Sequence, residues 1–117
     1  MMAKNITLSI DMAPAEPLWK IAPTRDEHGN RVSDFLMIIP KLRQKPEMHI
    51  RRTLDDIDRA LKQFNRDIVF ANMDMKLNTL WVSFRSEPGL FMKIAAAIKL
   101  QVPEAVLVGD LSSRLSR

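Results

Sequence analysis

Polar and apolar residues alternate through Ile6-Thr-Leu-Ser-Ile-Asp-Met12, which puts Ile6, Leu8, Ile10 and Met12 on one side and Thr7, Ser9 and Asp11 on the other. A period of two marks a half-buried strand. The stretch that follows carries Pro14 and Pro17 and predicts a loop, because proline removes a backbone donor and fixes φ. Leu18–Ile21 admits a short second strand. Asp26–Asn30 predicts a turn, with Gly29 and Asn30 tolerating positive φ.

Phe35–Ile39 is a continuous apolar run ended by Pro40, suited to a central strand buried on both faces. Ile50, Leu54, Ile57, Leu61 and Phe64 then recur at spacings of four, three, four and three. That stripe predicts a helix opened near Pro46 and stopped near Asn65. Arg51/Asp55, Arg52/Asp56, Asp55/Arg59 and Asp58/Lys62 are spaced to pair on its outer surface. Val69, Ala71, Met73, Met75 and Leu77 next alternate with Ile68, Phe70, Asn72, Asp74 and Lys76. After a turn at Asn78-Thr79, Leu80, Val82 and Phe84 alternate with Trp81, Ser83 and Arg85. This predicts a hairpin. Ser86 is placed to cap a second helix with Pro88 in its first turn, and Leu90, Phe91, Ile94, Ala95, Ala97 and Ile98 form its buried face. Pro103 stops that helix, Ala105–Val108 predicts a last strand ended by Gly109, and a polar tail follows.

The order from residue 34 onward is strand, helix, strand, strand, helix, strand. It predicts an α+β chain with a ferredoxin-like βαββαβ sandwich: an antiparallel sheet with both helices on one face. Residues 1–33 form an amino-terminal extension with one or two strands, residues 34–110 the ferredoxin-like domain, and residues 111–117 a flexible tail. Val69, Met73, Leu80, Val82 and Phe84 then pack beneath the helices. Ile68, Phe70, Trp81 and alternate residues of 35–39 fall on the opposite face, which needs cover. The amino-terminal strands rank first as that cover, since cover from within costs no association entropy. A second subunit ranks next and a ligand last.

At 117 residues, with 46% hydrophobic and 27% charged residues, the composition is that of one globular domain with its own core. The absence of cysteine excludes disulfides, thiolate metal sites and cysteine nucleophiles, and suits a reducing cytoplasm. No apolar run approaches the roughly 20 residues of a membrane span. The amino terminus also lacks the continuous apolar region of a signal peptide. The expectation is a cytoplasmic protein with no membrane partner.

Catalytic groups are scarce. There are two histidines, His28 and His49, no tyrosine, and three glycines that form no phosphate-cradling loop. No nucleophile elbow or metal-ligand spacing occurs. No catalytic residue, metal or cofactor is assigned, and the chain is read as a non-enzyme. A site assembled between subunits is the one route to catalysis left open.

A net charge of +4 permits anionic partners without demanding them. Lys41, Arg43, Lys45, His49, Arg51 and Arg52 crowd one segment against a single acid, Glu47. Cations at a helix amino terminus oppose its dipole, and a bound phosphate would relieve that conflict. The competing account is a solvated loop with Arg51 and Arg52 paired to Asp55 and Asp56.

Met37-Ile-Ile-Pro-Lys-Leu42 and Trp81-Val-Ser-Phe84, set in this element order over residues 34–110, resemble the first-strand and third-strand motifs of the RNA recognition motif family. The resemblance implies Trp81 on the open face as a base-stacking residue. In that register Thr79 takes the second stacking position, Leu77 the leading basic position and Ile38 that of the first-strand aromatic. Separately, Ser86-Glu-Pro-Gly-Leu90 with its helix is similar to the turn of ACT domains. In that family, which binds amino acids as regulatory dimers, the motif follows the first strand; here it follows the third. That similarity implies a small-ligand turn at Ser86, Gly89 and Leu90.

The leading expectation is a non-catalytic interaction or assembly module that forms a homodimer or binds another protein. The alternatives are a nucleic-acid binder, using the basic segment with Phe70 and Trp81, and a regulatory domain using the Ser86–Leu90 turn.

Overall fold

The computed structural model describes residues 8–11 and 28–110. Strands β1 (Ser9–Asp11), β2 (Val32–Ile38), β3 (Ile68–Asp74), β4 (Thr79–Arg85) and β5 (Val106–Asp110) form one sheet in the order β1-β3-β4-β2-β5. A 3-10 turn, Leu42–Gln44, leads from β2 into helix α1 (Glu47–Lys62), and helix α2 (Leu90–Gln101) links β4 to β5. β2 runs antiparallel to both β4 and β5, and β3 antiparallel to β4. The chain is α+β, with an arrangement compatible with a ferredoxin-like fold. β1 pairs with β3 in parallel, so the five-stranded sheet is mixed where an antiparallel one was expected.

The core lies between the helices and one face of the sheet. Phe35 and Met37 of β2, Ala71 and Met73 of β3, and Leu80, Val82 and Phe84 of β4 meet Ile57, Ala60 and Leu61 of α1 and Leu90, Ile94 and Ile98 of α2. The rings of Phe35, Phe84 and Phe91 cluster with centroids 5.3–6.3 Å apart, the range in which tilted and offset pairs are favourable. The expected stripe of α1 faces this core. Ile57 and Leu61 are fully buried, and Ile50, Leu54 and Phe64 sit half-buried at its margin.

Several expectations change at the level of single residues. β2 is central but not buried on both faces: Phe35 and Met37 are inside, Leu36 is half-buried and Ile38 exposed. An irregularity between Ile68 and Phe70 inserts Val69 as an extra residue in the β3–β4 ladder. A bulge of one residue reverses the side-chain parity before it. Ile68 therefore joins the helix-side core instead of the opposite face, while Phe70 stays on that face. Ser86 does not cap α2. Gly89, with φ of 80°, is the N-cap, and the Ser86 hydroxyl lies 2.5 Å from that of Ser33. On α1 the ion pairs are Arg51 with Glu47, Arg59 with Asp56 and, as expected, Lys62 with Asp58. Arg51 reaches back one turn toward the helix amino terminus, where an acid is favoured.

The described part of the amino-terminal extension before residue 28, residues 8–11, does not act as a lid. Ser9 is in register with Asn72 and Ile10 with Met73, so the strand extends the sheet at its β3 edge. Leu8 enters the helix-side core, and Ile10 follows on the same side but exposed. Ser9 donates to the Ala71 carbonyl (3.1 Å) and accepts from the Asn72 amide nitrogen (2.7 Å). The apolar side of β1 is thus continuous with the core beneath the helices, which makes the strand a widening of the sheet. The strand expected at 18–21 and the tail from 111 lie outside the described residues.

Candidate functional site

The sheet face opposite the helices is built around Trp81. Register places Leu36 beside Trp81, Asp34 beside Ser83 and Asn72 on the other flank. The Trp81 indole N–H donates to Asp34 Oδ1 (2.9 Å) and Ser83 Oγ (3.1 Å), and the Ser83 hydroxyl donates to the same carboxylate oxygen. Asp34 and Ser83 are buried, and Trp81 is 5% exposed. Burying a carboxyl group is costly unless donors replace its water, and the indole and the hydroxyl do so at Oδ1. Leu36 and Phe70 pack half-buried against the indole. Phe70 and Trp81 are therefore together on the expected face. The tryptophan, however, is interior packing around a polar pair, with no ring face presented for stacking.

The basic segment divides into two groups. Lys41, Arg43 and Lys45 are exposed on the loop after β2, at the end of the sheet where the β3–β4 turn also lies. That turn adds exposed Lys76 and Leu77, the latter 64% exposed. Sequence reasoning had placed these two in a strand. The remaining cations belong to α1. His49 Nε2 lies 3.8 Å from Glu104, Arg51 pairs with Glu47 at 3.2 Å, and Arg52 borders a shallow depression that also contains Asp55 and Asp56.

In the Ser86–Leu90 turn, Ser86 lies against Ser33 and Gly89 caps α2. Leu90 is core, and its backbone N–H donates to the Glu87 carbonyl (3.1 Å). A depression of about 350 Å³ lies nearby, lined by Leu90 but by neither Ser86 nor Gly89. Three of its charged groups pair with one another: Arg85 Nη2 lies 2.5 Å from Asp67 Oδ1 and 3.4 Å from Glu87 Oε2.

A fourth feature was not singled out from sequence. β5 stands at the edge of the sheet, with β2 as its one neighbour among the described strands. Val106, Leu107 and Val108 are 49%, 36% and 53% exposed, and Ile38, the register partner of Val106, is exposed beside them. Three apolar residues in a row without alternation put apolar surface on both faces of the strand. That pattern is visible in the sequence; its position at an edge is not.

Among the described residues no group of three histidines or carboxylates could hold a metal ion, and no helix is long and apolar enough to cross a membrane. No protein-family model matches the chain, nor does any curated protein or solved structure to which it was compared.

Proposed function

We propose that this chain is a non-catalytic interaction and assembly module, built on a ferredoxin-like unit over residues 34–110, that associates with a second copy of itself through the outer edge of β5. The observation that carries this reading is the exposed Val106-Leu107-Val108 edge. An edge strand presents unpaired N–H and C=O groups, and edges that remain solitary are usually guarded by charge or proline. Residues 105–109, Ala-Val-Leu-Val-Gly, carry neither, and the one charge of β5 is Asp110 at its far end. Antiparallel pairing of two identical strands about a two-fold axis is self-complementary: each backbone donor meets the equivalent acceptor of the other copy. Leu107 would extend the helix-side core from its partner Met37, and Val106 would extend the opposite face from Ile38.

Two five-residue strands make a small interface, below the roughly 1,200 Å² of standard complexes. A monomer–dimer equilibrium that depends on concentration is therefore expected. Sedimentation velocity over a dilution series tests it. The native chain should shift from dimer to monomer on dilution, and Val108→Lys should stay monomeric with an unchanged circular dichroism spectrum. Val108 is more than half exposed, so the charge does not enter the core. A native chain that is monomeric at every concentration, or a Val108→Lys variant that dimerises equally well, would overturn the proposal.

A further inference from the structure

We infer that the sheet end formed by the 41–45 loop and the 76–78 turn is a docking site for the phosphate backbone of nucleic acid. It adjoins the start of β5, where Val106 is in register with Ile38, but it uses different residues and does not depend on self-association. Lys41, Arg43, Lys45 and Lys76 are all exposed there, and none has an ion-pair partner among the described residues. Three of the acids nearby have partners of their own. Glu47 is paired with Arg51, Glu104 faces His49, and Asp74 Oδ1 accepts from the backbone N–H groups of Lys76 (2.9 Å) and Leu77 (3.2 Å).

The cations are also held in place. Leu42 is fully buried between Lys41 and Arg43 and anchors the loop in the core. The N–H of Gln44 donates to the Lys41 carbonyl and that of Lys45 to the Leu42 carbonyl, both at 3.0 Å. Asn78 ties loop and turn together: its carbonyl accepts from Ile39 N–H and its Oδ1 from Arg43 N–H, both at 2.9 Å. Lys41 and Asn78 both adopt left-handed φ, 59° and 56°. That conformation is unfavourable for a non-glycine residue, and it persists where surrounding contacts over-determine it. The side chains between the anchors are thus displayed outward from a fixed frame, and ordering them again on binding costs less than it would from a mobile tail.

Four exposed cations at one end of the sheet suit a line of phosphates, which Lys and Arg contact without reading sequence. Among the described residues no phenylalanine or tryptophan is exposed, and phosphate contacts carry no sequence information, so this site should not prefer particular bases.

Fluorescence anisotropy with the full chain and labelled mixed-sequence 20-mers, single-stranded and duplex, tests this. Binding is expected at low salt, with log K falling against log salt at a slope of roughly −3 to −4 for duplex, the value for about four phosphate contacts. Lys41→Glu with Lys45→Glu should weaken binding at least tenfold. Arg66→Glu with Lys93→Glu alters net charge equally at the opposite end of the sheet and should leave binding within twofold. Thermal unfolding of both variants checks that each is folded. No binding at low salt would overturn the proposal. So would equal losses in both double variants, which would reflect net charge alone, or binding only to anionic vesicles and not to oligonucleotides.

Discussion

Replacing Trp81 with phenylalanine tests the polar pair beneath the second sheet face. Phenylalanine keeps most of the buried ring but deletes the N–H that reaches Asp34 at 2.9 Å and Ser83 at 3.1 Å. A hydrogen bond contributes about 0.5–1.5 kcal/mol net, and leaving a buried acceptor short of a donor costs about 1–3 kcal/mol. With the smaller ring included, destabilisation of about 2–4 kcal/mol is expected. A domain of this size is stable by something like 6–17 kcal/mol, so the variant should fold but melt roughly 10–20 °C lower. Urea unfolding followed by far-ultraviolet circular dichroism gives the free energy directly. A double-mutant cycle with Asp34→Ala should return a coupling of about 1 kcal/mol or more, because the two residues share one network. A Trp81→Phe variant within about 0.5 kcal/mol of the native chain, or a cycle with no coupling, would refute the assignment of the indole N–H to Asp34.

Two further substitutions test the helix side of the sheet. Gly89→Ala introduces a Cβ that meets nothing within 4 Å, yet φ is +80°, so a loss of about 1–2 kcal/mol from backbone strain alone is expected in urea unfolding. Ile94→Ala removes a fully buried side chain between α2 and the sheet and should cost about 2–5 kcal/mol, with an unchanged spectrum at low temperature.

The helix-side core was legible because two periodicities agree. The α1 stripe and the alternation of Leu80, Val82 and Phe84 point to one interior, and the structure places them there. The opposite face was not legible, because its composition depends on register. Asp34 lies just before the apolar run of β2 and reads as a boundary; only the pairing Asp34 with Ser83 shows it inside, next to Trp81. Ile68 was misplaced by the one-residue bulge at Val69, which no local pattern announces. Leu8 and Ile10 were correctly placed on one side of a strand. Whether that side lies over a sheet face or beside an edge is a long-range property that alternation does not encode. The basic segment was visible as composition. Its division into an end cluster and a helical row comes from the loop's bonds to Asn78, a residue that read simply as a turn.

Association through β5 is tested most directly by distances between spin labels in the dimer, since the native chain has no cysteine to compete with introduced ones. Glu104→Cys labels a site two residues before β5, and Ile10→Cys labels β1 at the far edge of the sheet. Pairing β5 with β5 makes a ten-stranded sheet, in which the two Glu104 sites lie on the order of 20–30 Å apart and the two Ile10 sites about 40 Å or more, nine strand spacings away. Double electron–electron resonance showing the short distance at position 104 and the long one at position 10 is the expected result. A short distance at position 10 with none at position 104 would contradict association through this edge.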